Sequence, residues 1–254
     1  MLILLPPSEG KTPPVSGQPL DLGSLTSPAL NPTRLRILNA LVKVSSGSPK
    51  RAMQVLGLGK TLADALATNA ALLTQPTARA DEIYTGVLYG ELGLATLDAP
   101  ARRRAENQVR ITSALFGLVS PADYIPAYRL SGDVTLPRLG SVSGLWRAKL
   151  GPVLDDIVGT GLLLDLRSGM YANFYRPAGT LAERTATMRV LHEHRGERKV
   201  VSHFNKATKG RIVRALLESG AAPDSVDDLT ATMAELGWTV ERTGNRLDVV
   251  VAEV

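Results

Sequence analysis

Nine polar side chains of this sequence have the types needed to bind a small anion and to move a proton. Each lies beside a predicted strand end, at a helix start or in a loop, and together they are Ser8, Lys11, Tyr84, Tyr128, Arg129, Ser168, Tyr171, Lys206 and Lys209. Lysine and arginine bind anions, and lysine or tyrosine can transfer a proton. Because α/β folds place their sites at strand ends, the pattern predicts an anion-binding pocket.

The lysines of this set are the candidate bases, because the pKa of a lysine falls readily in a cationic cluster. Lys11 and Lys206 are the first candidates, Tyr128 is a candidate proton donor, and Glu9 is the nearby carboxylate. The spacing identifies no nucleophile–base pair. One predicted function is therefore an enzyme acting on a small anionic substrate, either a nucleotide or another molecule that carries a phosphate or carboxylate. The reaction is left open, and no cofactor is predicted.

Two of the lysines belong to a predicted helix over 205–218. At about 100° per residue its apolar stripe holds Ile212, Val213, Leu216 and Leu217. Lys209 projects into that stripe and Lys206 lies at its edge. A lysine on an apolar face must reach solvent or meet an anion, and the first turn of a helix disfavours cations. The pair predicts a phosphate or carboxylate ligand; long side chains reaching solvent are the alternative.

A glycine-rich turn between two short predicted helices, at about 48–70, resembles a helix-hairpin-helix element. Its centre reads Leu56-Gly57-Leu58-Gly59-Lys60, and Lys50 and Arg51 precede it. Two glycines let the backbone approach a phosphate closely, and the amides that open the next helix favour an anion. Such a contact binds the backbone of duplex DNA without reading its sequence. A tight turn between two core helices is the alternative.

Two Gly-Lys-Thr triplets are not P-loops. A Walker A motif needs a glycine five positions before the glycine of the Gly-Lys pair. Those positions are Leu5 and Gln54 here, which excludes a P-loop ATPase.

The charge distribution also favours a polyanionic partner. The formal net charge is +5, and between Asp21 and Asp64 every charged side chain is basic: Arg34, Arg36, Lys43, Lys50, Arg51 and Lys60. A second basic stretch covers 195–214, with Glu197 as its only acid. Separated charge of this kind predicts binding to double-stranded DNA. The alternative is that the basic residues serve only to keep the protein soluble.

Composition limits the remaining classes of protein. The 254 residues include no cysteine, which excludes disulfides and cysteine metal sites. The apolar start at residues 1–5 has no basic segment before it, and no apolar run reaches the length of a membrane span. We expect a cytoplasmic protein without membrane contact, and a monomer is favoured. His192, His194 and His203 could share one face of a hairpin and bind a metal, but surface histidines fit better, and no metal site is predicted.

The apolar and turn patterns that must position these residues predict one mixed α/β (α+β) domain over 1–254, with a central sheet, flanking helices and the inserted helix-hairpin-helix. Strands are predicted over residues 1–5, 161–166, 188–194, 199–204, 239–242 and 246–251. Helices are predicted over 33–44, from 49 to a stop at 57, and over 60–71, 98–116, 145–157 and 205–218. Residues 11–32 and 119–143 are predicted to be loops.

An ordered series of short motifs resembles the YaaA family of peroxide stress proteins. No single motif is strong, but the series covers nearly the whole chain in the family's order. The matching segments are Pro7 to Lys11, Tyr84-Thr85-Gly86, Ser113 to Gly117, Ala127-Tyr128-Arg129-Leu130, Trp146, Asp165 to Ser168 with Tyr171, and Ser202 to Gly210.

The resemblance implies a YaaA-like single compact domain. It also implies double-stranded DNA binding through the helix-hairpin-helix, and a role in peroxide stress that limits free intracellular iron and so iron-dependent DNA damage. The DNA-binding residues would be Lys50, Arg51, Gly57, Gly59 and Lys60.

Overall fold

The computed structural model describes residues 1–59, 62–194 and 197–252. Its strands are β1 (Leu2–Leu5), β2 (Ala78–Arg79), β3 (Val109–Ser113), β4 (Gly117–Val119), β5 (Tyr124–Ile125), β6 (Thr135–Leu136), β7 (Gly140–Ser141), β8 (Leu163–Asp165), β9 (Thr185–His194), β10 (Glu197–Lys199), β11 (Thr239–Thr243) and β12 (Arg246–Ala252). Its helices are α1 (Asn31–Ser45), α2 (Pro49–Leu56), α3 (Asp64–Ala70), α4 (Ala80–Ile83), α5 (Val87–Leu92), α6 (Ala99–Gln108), α7 (Val142–Val158), α8 (Gly169–Ala172), α9 (Gly179–Glu183), α10 (Ser202–Ser219) and α11 (Val226–Glu235).

A central mixed sheet organises the fold, in the strand order β11-β12-β9-β8-β1-β3-β4, with β10 paired to the end of β9. The inner pairs β3–β1, β1–β8, β8–β9 and β9–β12 are parallel. Ile3 of β1 lies opposite Val109 of β3 and Leu164 of β8. Antiparallel pairs complete the two edges, β4 against β3 and β11 against β12.

The position of β1 follows from its sequence. Leu2, Ile3, Leu4 and Leu5 are all buried, so this strand has no polar face. A strand that is apolar on both faces belongs between two parallel neighbours under covering helices. Helix α10 packs against β9, α5 and α6, and α7 packs against β4. The predicted mixed α/β fold with a central sheet and flanking helices is confirmed.

The helix predicted over 98–116 is wrong in its second half. Helix α6 begins after Asp98, whose carboxylate accepts a hydrogen bond from the Ala101 amide, and it ends at Gln108. The chain then continues as β3, because Val109 and Ile111 pair with the buried strand β1. Gly117, with a φ of 75°, does not end a helix; it turns β3 into β4 against the ring of Trp146.

Two other predictions need correction. The predicted second strand of the hairpin, 199–204, is wrong beyond its first residue, because β10 ends at Lys199 and α10 begins at Ser202. The predicted loop at 119–143 contains the short strands β5, β6 and β7. The hairpin of β11 and β12 around residues 243–245 is confirmed.

Arg34 is a core residue and not part of a basic surface. Its guanidinium is fully buried and donates to the carbonyls of Thr26, Phe116 and Leu118 and to the side chain of Asn31. These bonds tie α1 to β4. The guanidinium tolerates burial because each of its three nitrogens donates at least one hydrogen bond.

Candidate functional site

Three neighbouring parallel strands end at one edge of the sheet and place polar residues there. Ser8 to Lys11 follow β1, Ser113 ends β3, and Asp165 to Ser168 lie at the end of β8. Because β1 is paired in parallel with both β3 and β8, these three ends are neighbours. The carboxyl edge of a parallel sheet is the usual place for a ligand.

Lys11 lies above two tyrosine rings at this edge. Its Nζ is 4.3 Å from the ring centroid of Tyr128 and 5.3 Å from that of Tyr84, and it donates to the Ser8 carbonyl over 2.8 Å. Lys11 and Tyr84 also form a single antiparallel bridge, which fixes the segment after β1 against residue 84. The structure thus brings together Ser8, Lys11, Tyr84 and Tyr128, as the sequence predicts.

A buried chain of hydroxyl groups lies beneath the lysine. The Tyr128 hydroxyl is 3.0 Å from that of Tyr84 and 2.7 Å from that of Ser113, which accepts a bond from the Phe116 amide. Burial raises the pKa of both tyrosines well above the ordinary value. Both phenols are therefore neutral donors at neutral pH. The chain can orient or relay a proton, but it does not offer a phenolate.

The electrostatic surroundings of Lys11 favour a neutral amine. Burial lowers its pKa to about 7, the nearby Arg129 charge adds to that effect, and Glu9 opposes it. Glu9 is 88% exposed and forms its ion pair with Arg129 at 3.1 Å. Arg129 also donates to the Glu9 carbonyl over 3.0 Å. Lys11 is thus a candidate base or nucleophile, and Arg129 is the neighbouring cation.

Helix α3 holds Arg129 in place through Asn69. This fully buried asparagine accepts a bond from the Arg129 amide over 2.9 Å and donates to its carbonyl over 2.8 Å. Gln75, which follows the helix, donates to the Ala127 carbonyl over 2.8 Å. The segment of Tyr128 and Arg129 is therefore fixed from the side of the predicted DNA-binding element.

The remaining members of the predicted pocket lie at the same sheet edge but are not all in contact. Tyr171 of α8 is half-buried, and its ring lies 5.1 Å from that of Phe174. Burial raises the pKa of Tyr171, and the nearby Tyr128 and Glu9 raise it further. Ser168, just before α8, is exposed. We place both residues at the border of the site.

The two lysines of α10 differ. Lys209 is buried, as the apolar stripe predicts, and its Nζ lies 3.4 Å from the Leu166 carbonyl at the end of β8. Burial lowers its pKa, and Asp165 opposes that effect. Lys206 is exposed. Because α10 begins at Ser202, Lys206 and Lys209 are both beyond its first turn, so the predicted disfavour from the helix dipole applies to neither lysine.

Three residues of this region were missed from the sequence. Ser113 and Asn69 are ordinary polar residues of a strand and a helix, and their spacing gives no signal. Arg167 is a structural cation: it binds the Asp165 carboxylate with two nitrogens and donates to the carbonyls of Tyr171 and Tyr175. Arg167 follows Asp165 by two positions, and this spacing could have indicated their ion pair.

The predicted DNA-binding turn is exposed. Gly57 ends α2 with a φ of 63°, a conformation that favours glycine, and the Leu58 amide donates to the Met53 carbonyl. Gly59 has no such constraint, and a Cβ placed there would meet nothing within 4 Å. Lys50 and Arg51, in the first turn of α2, are exposed.

The second helix begins later than predicted. Helix α3 starts at Asp64 instead of residue 60, and that acidic residue occupies its first turn. The expected group of outward amides at Lys60 is therefore not the start of α3. Lys60 itself lies outside the described residues.

The two basic stretches also differ in the structure. Arg36, Lys43, Lys50 and Arg51 are exposed and take part in none of the ion pairs formed by described residues. In the second stretch, acidic neighbours pair with Arg198, Lys199, Arg211 and Arg214. Of these two stretches, the first therefore keeps the exposed cations without acidic partners, on α1 and α2.

The three histidines do not share a hairpin face. His192 and His194 are on β9, whereas His203 is on α10, where its ring contacts Phe204. Within the described part of the chain, no group of three or more histidine, cysteine, aspartate or glutamate residues is arranged to hold a metal ion.

None of the helices in the described ranges is long and apolar enough to cross a bilayer. The cytoplasmic location and the monomeric state expected from the sequence stay predictions.

Comparison with known proteins gives matches over the full length. The family model described as peroxide stress protein YaaA matches residues 1–243. A UPF0246 protein of Streptomyces coelicolor is 49% identical, and the similarity covers all of both chains. UPF0246 proteins of Corynebacterium efficiens and Corynebacterium glutamicum are 39% and 37% identical, again over all of both chains.

Proposed function

Because the chain belongs to the YaaA family of peroxide stress proteins, we propose that it binds the backbone of duplex DNA through the turn between α2 and α3. The observation that supports this most directly is Gly59. Neither backbone conformation nor packing within the described residues requires a glycine there, since a Cβ would point into open space. Because glycine has no side chain, a phosphate of a bound ligand could approach the backbone closely at this position.

The unpaired cations of α1 and α2 support the same surface. Lys50 and Arg51 precede the turn, and Arg36 and Lys43 are exposed on α1, which packs against both α2 and α3. Exposed cations without acidic partners can neutralise phosphates without first breaking an ion pair. The contact is with the backbone, so we expect little preference for a DNA sequence.

The test compares two variants that each replace an exposed glycine by valine. Gly59→Val adds a side chain at the proposed phosphate contact, and Gly90→Val adds one at an exposed position of α5 where a Cβ also meets nothing. Fluorescence anisotropy with a short random duplex over a salt series should show an affinity about tenfold lower for Gly59→Val, corresponding to about 1.4 kcal/mol. Equal affinities for Gly59→Val, Gly90→Val and the unmodified protein would contradict the assignment.

We also propose that the protein limits iron-dependent DNA damage, as the family resemblance implies. No residue is assigned to bind iron. A protein that covers DNA during peroxide stress would act where iron-dependent damage occurs.

We propose a second function for the site of Lys11, supported by its placement beside Arg129 at the carboxyl edge of the sheet. Together these two basic side chains bind a small anionic ligand, with Tyr128 beneath them. Calorimetric titration with inorganic phosphate should give weak binding that Arg129→Gln abolishes. Arg147→Gln, which removes an exposed arginine on α7, should leave it unchanged. Retained binding in Arg129→Gln would contradict this second function.

A further inference from the structure

We propose that the amine of Lys11 forms an imine with an aldehyde whose neighbouring phosphate is bound by Arg129. The inference rests on the second function proposed above and names its substrate class, a phosphorylated aldehyde. It assigns Lys11 as a nucleophile, beyond its role as a cation or base.

The hydrogen bond of Lys11 does not need its charge. Its Nζ donates to the Ser8 carbonyl, and a neutral amine can make that bond with one hydrogen while keeping its lone pair free. The ion pairs formed by described residues do not include Lys11, because the nearby Glu9 is bound to Arg129. A structural cation would be expected to have a carboxylate partner at this depth.

The charged and titratable groups that face Lys11 act on its charge in opposite directions: Arg129 favours the neutral amine, whereas Glu9 and the tyrosine rings favour the cation. The groups are Glu9 on its own segment, Arg129 on the segment after β5, and the rings of Tyr84 and Tyr128. Burial and Arg129 together lower the Lys11 pKa to about 7, and Glu9 only partly offsets them. A large fraction of the amine is therefore unprotonated and nucleophilic at neutral pH.

Arg129 is available to bind the phosphate. Its ion pair is with a carboxylate that is 88% exposed, and such exposed pairs contribute little to stability. A phosphate can therefore replace Glu9 at small cost and gain a bidentate contact from the guanidinium. Asn69 keeps the backbone of Arg129 fixed during this exchange.

The step is balanced without an oxidant or reductant. The lone pair of Nζ forms a bond to the carbonyl carbon, and the carbonyl π pair moves to oxygen, which takes up a proton. The nitrogen releases one proton to give the neutral carbinolamine. It releases a second as the C=N bond forms, while the oxygen takes up its second proton and leaves as water. Amine and aldehyde thus give imine and water, and the reaction is reversible.

The aldehyde has two possible sources with the same chemistry. One is a free sugar phosphate, and the other is the open-chain sugar of an abasic position in duplex DNA, where the adjacent phosphate belongs to the strand. The second source fits the link from α3 through Asn69 to Arg129, since that helix follows the proposed DNA-binding turn.

Reductive trapping tests the inference. The full chain is incubated at pH 7.5 with sodium cyanoborohydride and one of three probes: deoxyribose 5-phosphate, a duplex with one abasic position, or the intact duplex. Peptide mass spectrometry then locates the secondary amine. We expect the adduct on Lys11 with one or both aldehyde probes and none with the intact duplex. An adduct with the abasic duplex alone assigns DNA as the source, and one with the sugar phosphate alone assigns the free source.

Variants separate this inference from its premises. Lys11→Arg keeps a long basic side chain but removes the amine that forms the imine, so it should lose at least nine-tenths of the adduct while keeping duplex binding. Lys199→Arg, at a lysine whose side chain is 73% exposed, should trap as the unmodified protein does. Undiminished trapping in Lys11→Arg, or the absence of a Lys11 adduct with both aldehyde probes, would overturn the inference. Phosphate binding and duplex binding, measured separately, would then still decide the two proposed functions.

Discussion

At the residue scale, the three lysines predicted to share one anion site have three different environments. Lys11 lies half-buried over two tyrosine rings, Lys209 is buried against the end of β8, and Lys206 is exposed. Helical periodicity predicted the burial of Lys209 because one face of a helix can be read from spacing. The environment of Lys11 depends on residues more than 70 positions away in the chain, so spacing could not predict it.

The lowered pKa of Lys11 leads to a direct prediction. Acetylation by acetic anhydride requires the neutral amine, so the rate at Lys11 should reach half of its maximum near pH 7. An ordinary lysine reaches that point near pH 10.4, about three units later. Quantitative mass spectrometry across pH 5.5–9.5 gives the curve for each lysine peptide at once. A Lys11 rate that still rises in proportion to hydroxide above pH 9 would contradict the assignment.

The lowered pKa of Lys11 also determines how the contribution of this residue to the free energy of unfolding changes with pH. The folded protein holds the Lys11 proton less tightly than the unfolded chain, so the unfolded chain binds more protons between pH 7 and the ordinary lysine pKa. The contribution of Lys11 to the free energy of unfolding therefore rises with pH in that window.

At the element scale, the predictions failed where tertiary pairing overrode a local pattern. Residues 109–113 follow a good helical sequence without a turn signal, yet they form β3, because the β-branched Val109 and Ile111 suit a strand and pair with β1. The short strands β5, β6 and β7 have only two residues each, which leaves too little alternation to detect in the sequence. The strand β1, the helices α1 and α7 and the hairpin of β11 and β12 have long or clear patterns, and their existence could be predicted.

Asn69 connects an element to the site, and its removal should affect both. Asn69→Leu leaves the Arg129 amide and carbonyl without their partner, so we expect a loss of roughly 2–4 kcal/mol in the free energy of unfolding. Urea unfolding measures it. Asn39→Leu, the same substitution at an exposed position of α1, should change stability by less than about 0.5 kcal/mol. Similar stabilities of the two variants would show that Asn69 does not fix the Arg129 segment.

At the scale of the whole molecule, composition indicated a basic protein but could not locate its basic surface. Arg34 is in the core, and the stretch that ends at Arg214 is largely neutralised by acids from β9, β11 and α5. Partners that come from distant parts of the chain are invisible in a count of nearby charges. The order of motifs along the chain predicted the family even though each motif was weak, because a shared order is improbable by chance.

The location of the unpaired cations leads to a prediction that net charge alone would not make. Two triple variants each remove three positive charges from the formal net charge of +5. One changes Lys43, Lys50 and Arg51 to glutamine, and the other changes Arg198, Lys199 and Arg211. If binding depended on total charge, both would weaken it equally. We expect the first to reduce the slope of log affinity against log salt by about 2–3, since each phosphate contact contributes roughly 0.9.

The second triple variant should leave that slope within about 0.5 of the unmodified protein, because its three cations are already paired with carboxylates. Circular dichroism of both variants checks that the fold is kept. Equal losses of slope in the two variants would mean that DNA binding depends on the total charge of the protein. The turn between α2 and α3 would then not be a specific DNA contact. A loss confined to the variant of Arg198, Lys199 and Arg211 would move the DNA contact to the opposite basic stretch.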